Sequence, residues 1–231
     1  MPDLLSPTYE DGLPQLALFD LDGTLIDSAP DLADAVDYML EQSGFRAAGE
    51  ALVREWVGNG APMLIKRALA YALELEDPQQ VADTQFQAAA AIFYDRYDEY
   101  CCVRTRIYPG AKELLQHWRD QGVTMGVVTN KPARFTQPIL QALKLEQYFA
   151  ISLSGDSLPV KKPDPAPLLH ACEALQAQPQ TTLMIGDSIN DVQAARRAGM
   201  KIACVTYGYN HGEDIRDANP DWVMDSLIEL K

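Results

Sequence analysis

The stretch Leu16-Ala17-Leu18-Phe19-Asp20-Leu21-Asp22-Gly23-Thr24-Leu25-Ile26-Asp27-Ser28 reads as a buried strand that ends in carboxylates. Four apolar residues, Leu16 to Phe19, fit a parallel strand covered on both faces. Asp20 and Asp22 follow where that strand would end, and Gly23 breaks it. Alternate strand residues face the same way, so Asp20 and Asp22 can point at one volume. Two carboxylates at the end of a buried strand are unfavourable unless a cation or hydrogen-bond donors compensate. Asp-Gly-Thr is also ordinary turn chemistry and can lead into a helix. Yet Asp-x-Asp-Gly-Thr should arise by chance in roughly a few in a thousand chains of this length.

The remaining composition narrows the setting. At 231 residues the chain can form one large domain or two unequal ones, and 47% hydrophobic with 23% charged residues is the balance of a globular protein. A formal charge of −14 argues against nucleic acid or an anionic membrane as partner. It also means that a phosphorylated small molecule must find a local positive site. No apolar run reaches the ~20 residues of a transmembrane helix. Met1 to Pro14 carries Asp3, Glu10 and Asp11 without a basic cluster, so it does not read as a secretory signal and is expected to be a loose lead-in. Cys101, Cys102, Cys172 and Cys204 show no metal or disulfide spacing, and a cytoplasmic location with reduced thiols is expected. His117, His170 and His211 are scattered, so neither zinc nor Cys–His catalysis has support.

Past Ser28 the pattern turns helical. Ala33, Val36, Leu40 and Phe45 recur at helical spacing. Further helices are expected over 49–57, over 62–75, and from Asp77-Pro78 to about Tyr100. From Ile107 onward helices alternate with short apolar strands at 123–129, 150–153, 182–185, 201–205 and 222–224, with helices over 110–121, 133–145, 163–176 and 192–198. That alternation predicts an α/β fold with a doubly wound parallel sheet. Residues 15–28 and 104–231 would form a Rossmann-like core, and residues 29–103 an all-helical insertion into it.

In such sheets ligands bind beyond the carboxyl ends of the strands. The polar residues gather there: Asp20 and Asp22 after the first strand, Thr129-Asn130-Lys131 after the second of the core, Gly186-Asp187-Ser188 after the strand at 182–185. Asp191 follows one helical turn later, and Lys161 and Lys162 precede Pro163. Thr129 or Ser188 alone could be a helix cap. Converging Asp20, Asp22 and Asp187 would repel one another without a hard divalent cation such as Mg²⁺. A cation and a lysine can hold phosphoryl oxygens, a carboxylate can attack phosphorus, and a second carboxylate can move the proton.

These residues resemble the haloacid dehalogenase-like phosphatases over nearly the whole chain. Asp20-Leu21-Asp22-Gly23-Thr24 is similar to the family's first motif, Thr129 to its second, Lys162 in Lys162-Pro163-Asp164-Pro165 to its third, and Gly186-Asp187-Ser188-Ile189-Asn190-Asp191 to its fourth. The resemblance implies that Asp20 is nucleophile and metal ligand. It makes Asp22 the acid and base whose backbone carbonyl meets Mg²⁺, Asp187 a further ligand, and Asp191 a support for the metal's waters. Thr129, Asn130 and Lys162 would bind phosphate, with Lys161 facing elsewhere. The helical insertion is similar to the family's cap, and Gly58-Asn59-Gly60 is its candidate substrate-facing loop, though a plain interhelical turn would read the same way.

Asp27-Ser28-Ala29-Pro30-Asp31-Leu32, Trp56-Val57-Gly58-Asn59-Gly60 and Lys161-Lys162-Pro163-Asp164-Pro165-Ala166-Pro167-Leu168 are similar to the subgroup that hydrolyses 2-phosphoglycolate through an aspartyl-phosphate. The alternatives are a phosphatase of another small sugar or amino-sugar phosphate, a receiver-type phospho-accepting domain, and a non-catalytic binding module. Dehalogenation fits less well, because Asp22 has no task when a halide leaves. The sequence leaves monomer and homodimer equally open.

Overall fold

The computed structural model describes Leu5, Thr8, Tyr9 and residues 12–231. Six strands form one wholly parallel sheet: β1 (Leu16–Phe19), β4 (Thr124–Val128), β5 (Ile151–Leu153), β6 (Thr182–Gly186), β7 (Lys201–Val205) and β8 (Trp222–Met224). Their order across the sheet is β5-β4-β1-β6-β7-β8. The chain therefore builds outward from β1 on one side, then crosses back to start the other side at β6. The reversal leaves a crevice beyond the ends of β1 and β6, the place where doubly wound sheets take ligands.

The strand β1 lies in the middle because every residue in it is apolar and fully buried. Ala17 and Phe19 enter one core layer, while Leu16 and Leu18 enter the layer on the other face. Phe19 packs against Trp118 and Phe149, with ring centroids 5.8 and 6.2 Å away. The helix α5 (Ala111–Asp120) leads into β4, and α6 (Ala133–Ala142), α7 (Ala166–Ala174) and α8 (Ile189–Ala198) follow β4, β5 and β6. In the ladder Phe19 is level with Val127 and Ile185. Asp20, the next residue, is thus brought level with Val128 and Gly186, one step short of Thr129 and Asp187.

The short strands β2 (Ile26–Asp27) and β3 (Arg106–Ile107) pair antiparallel and carry the chain out to four helices and back. These are α1 (Ala29–Gln42), α2 (Glu50–Trp56), α3 (Ala61–Ala72) and α4 (Asp83–Tyr100). The fourth helix starts later than its sequence predicts. Asp77 caps only a one-turn 3₁₀ helix, Pro78–Gln80, after which buried Val81 and then Ala82 take extended backbone. Conversely α8 starts three residues early, because Ser188 and Asp191 bond each other's first-turn groups. The lead-in expected over residues 1–14 falls in part outside the described residues. Of those described, Leu5 and Tyr9 are buried in the core, with the Tyr9 hydroxyl donating to the Thr182 carbonyl at 3.4 Å.

One buried carboxylate ties the outgoing and returning connections together. Asp31 Oδ1 accepts from Arg104 N at 2.8 Å, and Oδ2 accepts from Thr105 N at 2.7 Å and Thr105 Oγ1 at 2.6 Å. Three donors lose their partner together if Asp31 is truncated, and hydrogen bonds to a charged acceptor are the stronger kind. The variant Asp31→Ala is expected to lower the unfolding free energy by about 2–4 kcal/mol in urea titration. A change below about 0.5 kcal/mol, the size of an ordinary surface substitution, would contradict this role.

Candidate active site

Asp20, Asp187 and Asp191 offer carboxylate oxygens that all lie within 4.8 Å of one another, and all three residues are buried. They come from two neighbouring strand exits and the first turn of α8. Lys162 enters from the connection after β5 and is itself buried. Its ammonium lies 2.6 Å from Asp191 and 2.9 Å from Asp20. The approach to Asp20 Oδ1 is off the angle of a hydrogen bond, so that buried oxygen has a nearby charge but no bonded donor.

Asp187 is held from both sides. Thr24 Oγ1 donates to its Oδ1 and Tyr209 N to its Oδ2, each at 2.6 Å. Asp191 is a junction: Oδ1 takes Lys162, while Oδ2 accepts from Asp187 N, Ser188 N and Ser188 Oγ at 2.8 to 3.2 Å. Burial is the largest influence on the Asp20 carboxyl; Lys162 opposes it, Asp191 and Asp22 add to it, and the net effect lifts it to about 6. Burial, then the charges of Asp20 and Asp191, lift Asp187 well above the usual carboxylate range. Burial would lower Lys162, but Asp191 and Asp20 override it and hold the ammonium protonated.

Asp22 lies outside this cluster. Its carboxylate accepts from Ser28 Oγ at 2.5 Å and from Lys131 Nζ at 3.1 and 3.2 Å. The reason is local: β1 ends at Phe19, and Gly23 N bonds back to the Ile26 carbonyl, so the strand alternation stops before Asp22. Asp20 and Asp22 nevertheless line one cavity, together with Thr129, Asn130 and Lys131. Its inner volume is small, about 40 Å³, and it opens to solvent. The Thr129 hydroxyl oxygen accepts from Lys131 N, leaving its proton for an acceptor in the cavity. The Asn130 amide instead donates to the carbonyls of Gly58 and Lys162, at 3.0 and 2.9 Å.

The segment Gly58-Asn59-Gly60 forms the opposite wall. Lys161 donates to the Asn59 carbonyl at 2.7 Å, which separates its task from that of Lys162. At Gly60, with φ near +84°, a Cβ would sit 2.9 Å from the Asn130 carbonyl, so the close approach needs glycine. Arg67 braces the segment from α3 through Asn59 Oδ1 at 2.8 Å.

Several contributors were not singled out from the sequence. Thr24 and Tyr209 orient Asp187, and Lys131 pairs with Asp22. Gly208 packs so tightly that a Cβ would lie 2.2 Å from Asp187 Cβ. Lys131 had a local signal, its place at a strand exit, and Thr24 had one in closing the Asp-x-Asp-Gly-Thr stretch; Gly208 and Tyr209 had none.

Comparison with known proteins follows the same lines. A family model for haloacid dehalogenase-like hydrolases matches residues 14–199. The chain is 50% identical over 218 residues to a phosphoglycolate phosphatase of Nitrosococcus oceani, covering 94% of this chain and 95% of that one. It is 44% identical to phosphoglycolate phosphatase 1 of Pseudomonas aeruginosa, covering 97% and 81%. A crystal structure described as a predicted phosphoglycolate phosphatase from Haemophilus somnus superposes with a TM-score of 0.88 at 39% identity, over 94% of this chain and 96% of that one. The chain belongs to the haloacid dehalogenase-like hydrolases, which sets aside the receiver-type reading.

A divalent cation fits the residues present. Three buried carboxylates share one small volume, one buried oxygen of Asp20 has no bonded donor, and an all-oxygen donor set suits a hard ion. The variant Gly208→Ala is expected to push Asp187 out of place and weaken Mg²⁺ binding at least roughly tenfold by titration calorimetry. Unchanged affinity would show that Asp187 does not hold the ion.

Proposed function

We propose that this chain is a Mg²⁺-dependent phosphomonoester hydrolase that cleaves 2-phosphoglycolate through an aspartyl-phosphate on Asp20. The single observation that carries the reading is the convergence of Asp187, Asp191 and Lys162 on Asp20, which itself lines a cavity with Asp22 and Thr129. Its substrate reading rests on the relatives at 44% to 50% identity that carry the name phosphoglycolate phosphatase.

Asp20 and Asp187 would hold the ion, with Asp191 beside them and the Asp22 carbonyl as a further oxygen. When bound, Mg²⁺ supplies a hard Lewis acid that draws charge from phosphoryl oxygens. Thr129 and Lys162 hold the same phosphoryl group by hydrogen bond and charge. Asp20 attacks phosphorus as its ester bond breaks, and Asp22 gives a proton to the departing glycolate oxygen. Asp22, now a carboxylate, then takes a proton from the water that attacks the phosphorylated Asp20. The acyl-phosphate bond breaks, phosphate leaves and both carboxyl groups return to their starting state.

The helices α1 to α4 serve as a cap over residues 29–103 on a core of 15–28 and 104–231. Gly58-Asn59-Gly60 is the cap segment that closes the cavity and excludes water during the reaction. Its contacts with Asn130 and Lys161 support that assignment. No helix among the described residues is long and apolar enough to cross a membrane. The four free cysteines support a cytoplasmic location.

The nucleophile should also be a liability to the metal-free fold. An aspartate ionises near 3.8 when unperturbed, but Asp20 rises to about 6 in the folded, ion-free protein. The native state therefore binds more protons than the unfolded chain between these values, and stability falls as pH rises from about 4 to about 6. The variant Asp20→Asn removes that loss. It is expected to raise the melting temperature of the metal-free protein at pH 7.5 while lowering phosphoglycolate turnover by at least roughly 1000-fold. Near-normal turnover in purified Asp20→Asn would overturn the mechanism.

A further inference from the structure

We propose that Lys131 selects the substrate by pairing with a carboxylate on the leaving group. The inference rests on the phosphoglycolate reading and assigns one residue to it. Of the cavity-lining residues, Asp20, Asp22 and Lys131 carry formal charge, and Lys131 is the cation. A substrate with a phosphoryl dianion and a carboxylate brings negative charge to two ends. The metal site and Lys162 serve the phosphoryl end. The other end enters a buried space, and a carboxylate there is strongly disfavoured without its own cation.

Lys131 is placed for that task. Its backbone is fixed at three points: N donates to Thr129 Oγ1, and O accepts from Gly155 N at 2.9 Å and Thr136 Oγ1 at 3.2 Å. Its ammonium donates to the Tyr97 hydroxyl of α4 at 2.8 Å. The contacts to Asp22, at 3.1 and 3.2 Å, reach both oxygens of one carboxylate, so the three ammonium donors serve two groups, Asp22 and Tyr97, and a substrate carboxylate would share the ammonium with them. Asp22 is the group that meets the leaving oxygen. In phosphoglycolate the carboxylate is a single methylene away from that oxygen, within about 3 Å by covalent geometry. A group that touches Asp22 is therefore within reach of the carboxylate.

Two other cations nearby do not line the cavity and are turned to the 56–59 segment. Lys161 bonds the Asn59 carbonyl, and Arg67 bonds the Trp56 carbonyl and the Asn59 side chain. Tyr97 links the choice to the helical layer: it packs on Phe93 and Phe135, so the phenol that steadies Lys131 belongs to an aromatic seam between α4 and α6.

The test compares phosphoglycolate with 2-hydroxyethyl phosphate, which has a neutral CH₂OH in place of the carboxylate. Values of kcat/KM are measured with Mg²⁺ for the wild type, Lys131→Met, Lys131→Arg and Lys161→Met. In Lys131→Met the value for phosphoglycolate is expected to fall roughly 100-fold and that for 2-hydroxyethyl phosphate less than about tenfold, so the preference collapses. Lys131→Arg, which keeps the charge, should retain a preference for phosphoglycolate even if both rates drop. Equal losses on both substrates in Lys131→Met, or a collapse of the preference in Lys161→Met alone, would overturn the assignment while leaving the substrate reading intact. A wild type that hydrolyses both compounds equally well would overturn the substrate reading, and this assignment with it.

Discussion

The arrangement of this protein depends on how it confines negative charge beyond the end of β1. Asp20, Asp187 and Asp191 are buried together, and a buried carboxylate without compensation costs several kcal/mol. Lys162 supplies one positive charge between two of them. Thr24, Tyr209 and the backbone of residues 187 and 188 supply neutral donors. This compensation is incomplete, since Asp20 and Asp187 remain shifted toward their protonated forms. The shortfall is what a divalent cation would fill, so the fold holds the site in a state that favours loading the ion.

The same constraint explains why the cluster sits where it does. The exits of β1 and β6 lie level with each other beside the crevice left by the reversal of strand order. The layer of α1 to α4 then meets the sheet layer through the aromatic seam of Tyr94 and Tyr97 on Phe135 and, at the crevice, through polar contacts of the 58–60 segment. Gly58 and Asn59 offer carbonyls to Asn130 and Lys161, and Arg67 braces Asn59 from behind. Contacts of this kind can be exchanged with water at modest cost, which suits a cover that must admit substrate.

Much of this was legible in the sequence, for identifiable reasons. Leu16 to Phe19 is uninterrupted and apolar, so its burial on both faces followed from composition, while its central place shows only in the strand order. Asp20, Thr129 and Asp187 were legible because strand exits are functional positions in this class of sheet. The roles of Asp22 and Asp191 came from the resemblance alone, and the places of their carboxylates were not legible. Strand alternation suggested that Asp22 would share the carboxylate volume, but the turn closed by Gly23 and Ile26 aims it at Ser28 and Lys131. Asp191 takes the inner place because the first turn of α8 carries it back beneath Gly186, where a Cβ would come within 2.5 Å of it. Gly208 and Tyr209 lie about twenty residues beyond Asp187 on a loop with no pattern of its own, so only the folded chain reveals that they position it.

The account turns on a covalent bond between phosphorus and Asp20. A rapid-quench reaction with phosphoglycolate, followed by borohydride reduction and peptide mass spectrometry, tests that bond directly. An acyl-phosphate on Asp20 is reduced to homoserine, so the peptide spanning residues 15–28 should contain homoserine at position 20 and nowhere else. Recovery of unmodified Asp20 throughout a time course of active turnover, or homoserine at another aspartate, would contradict the account.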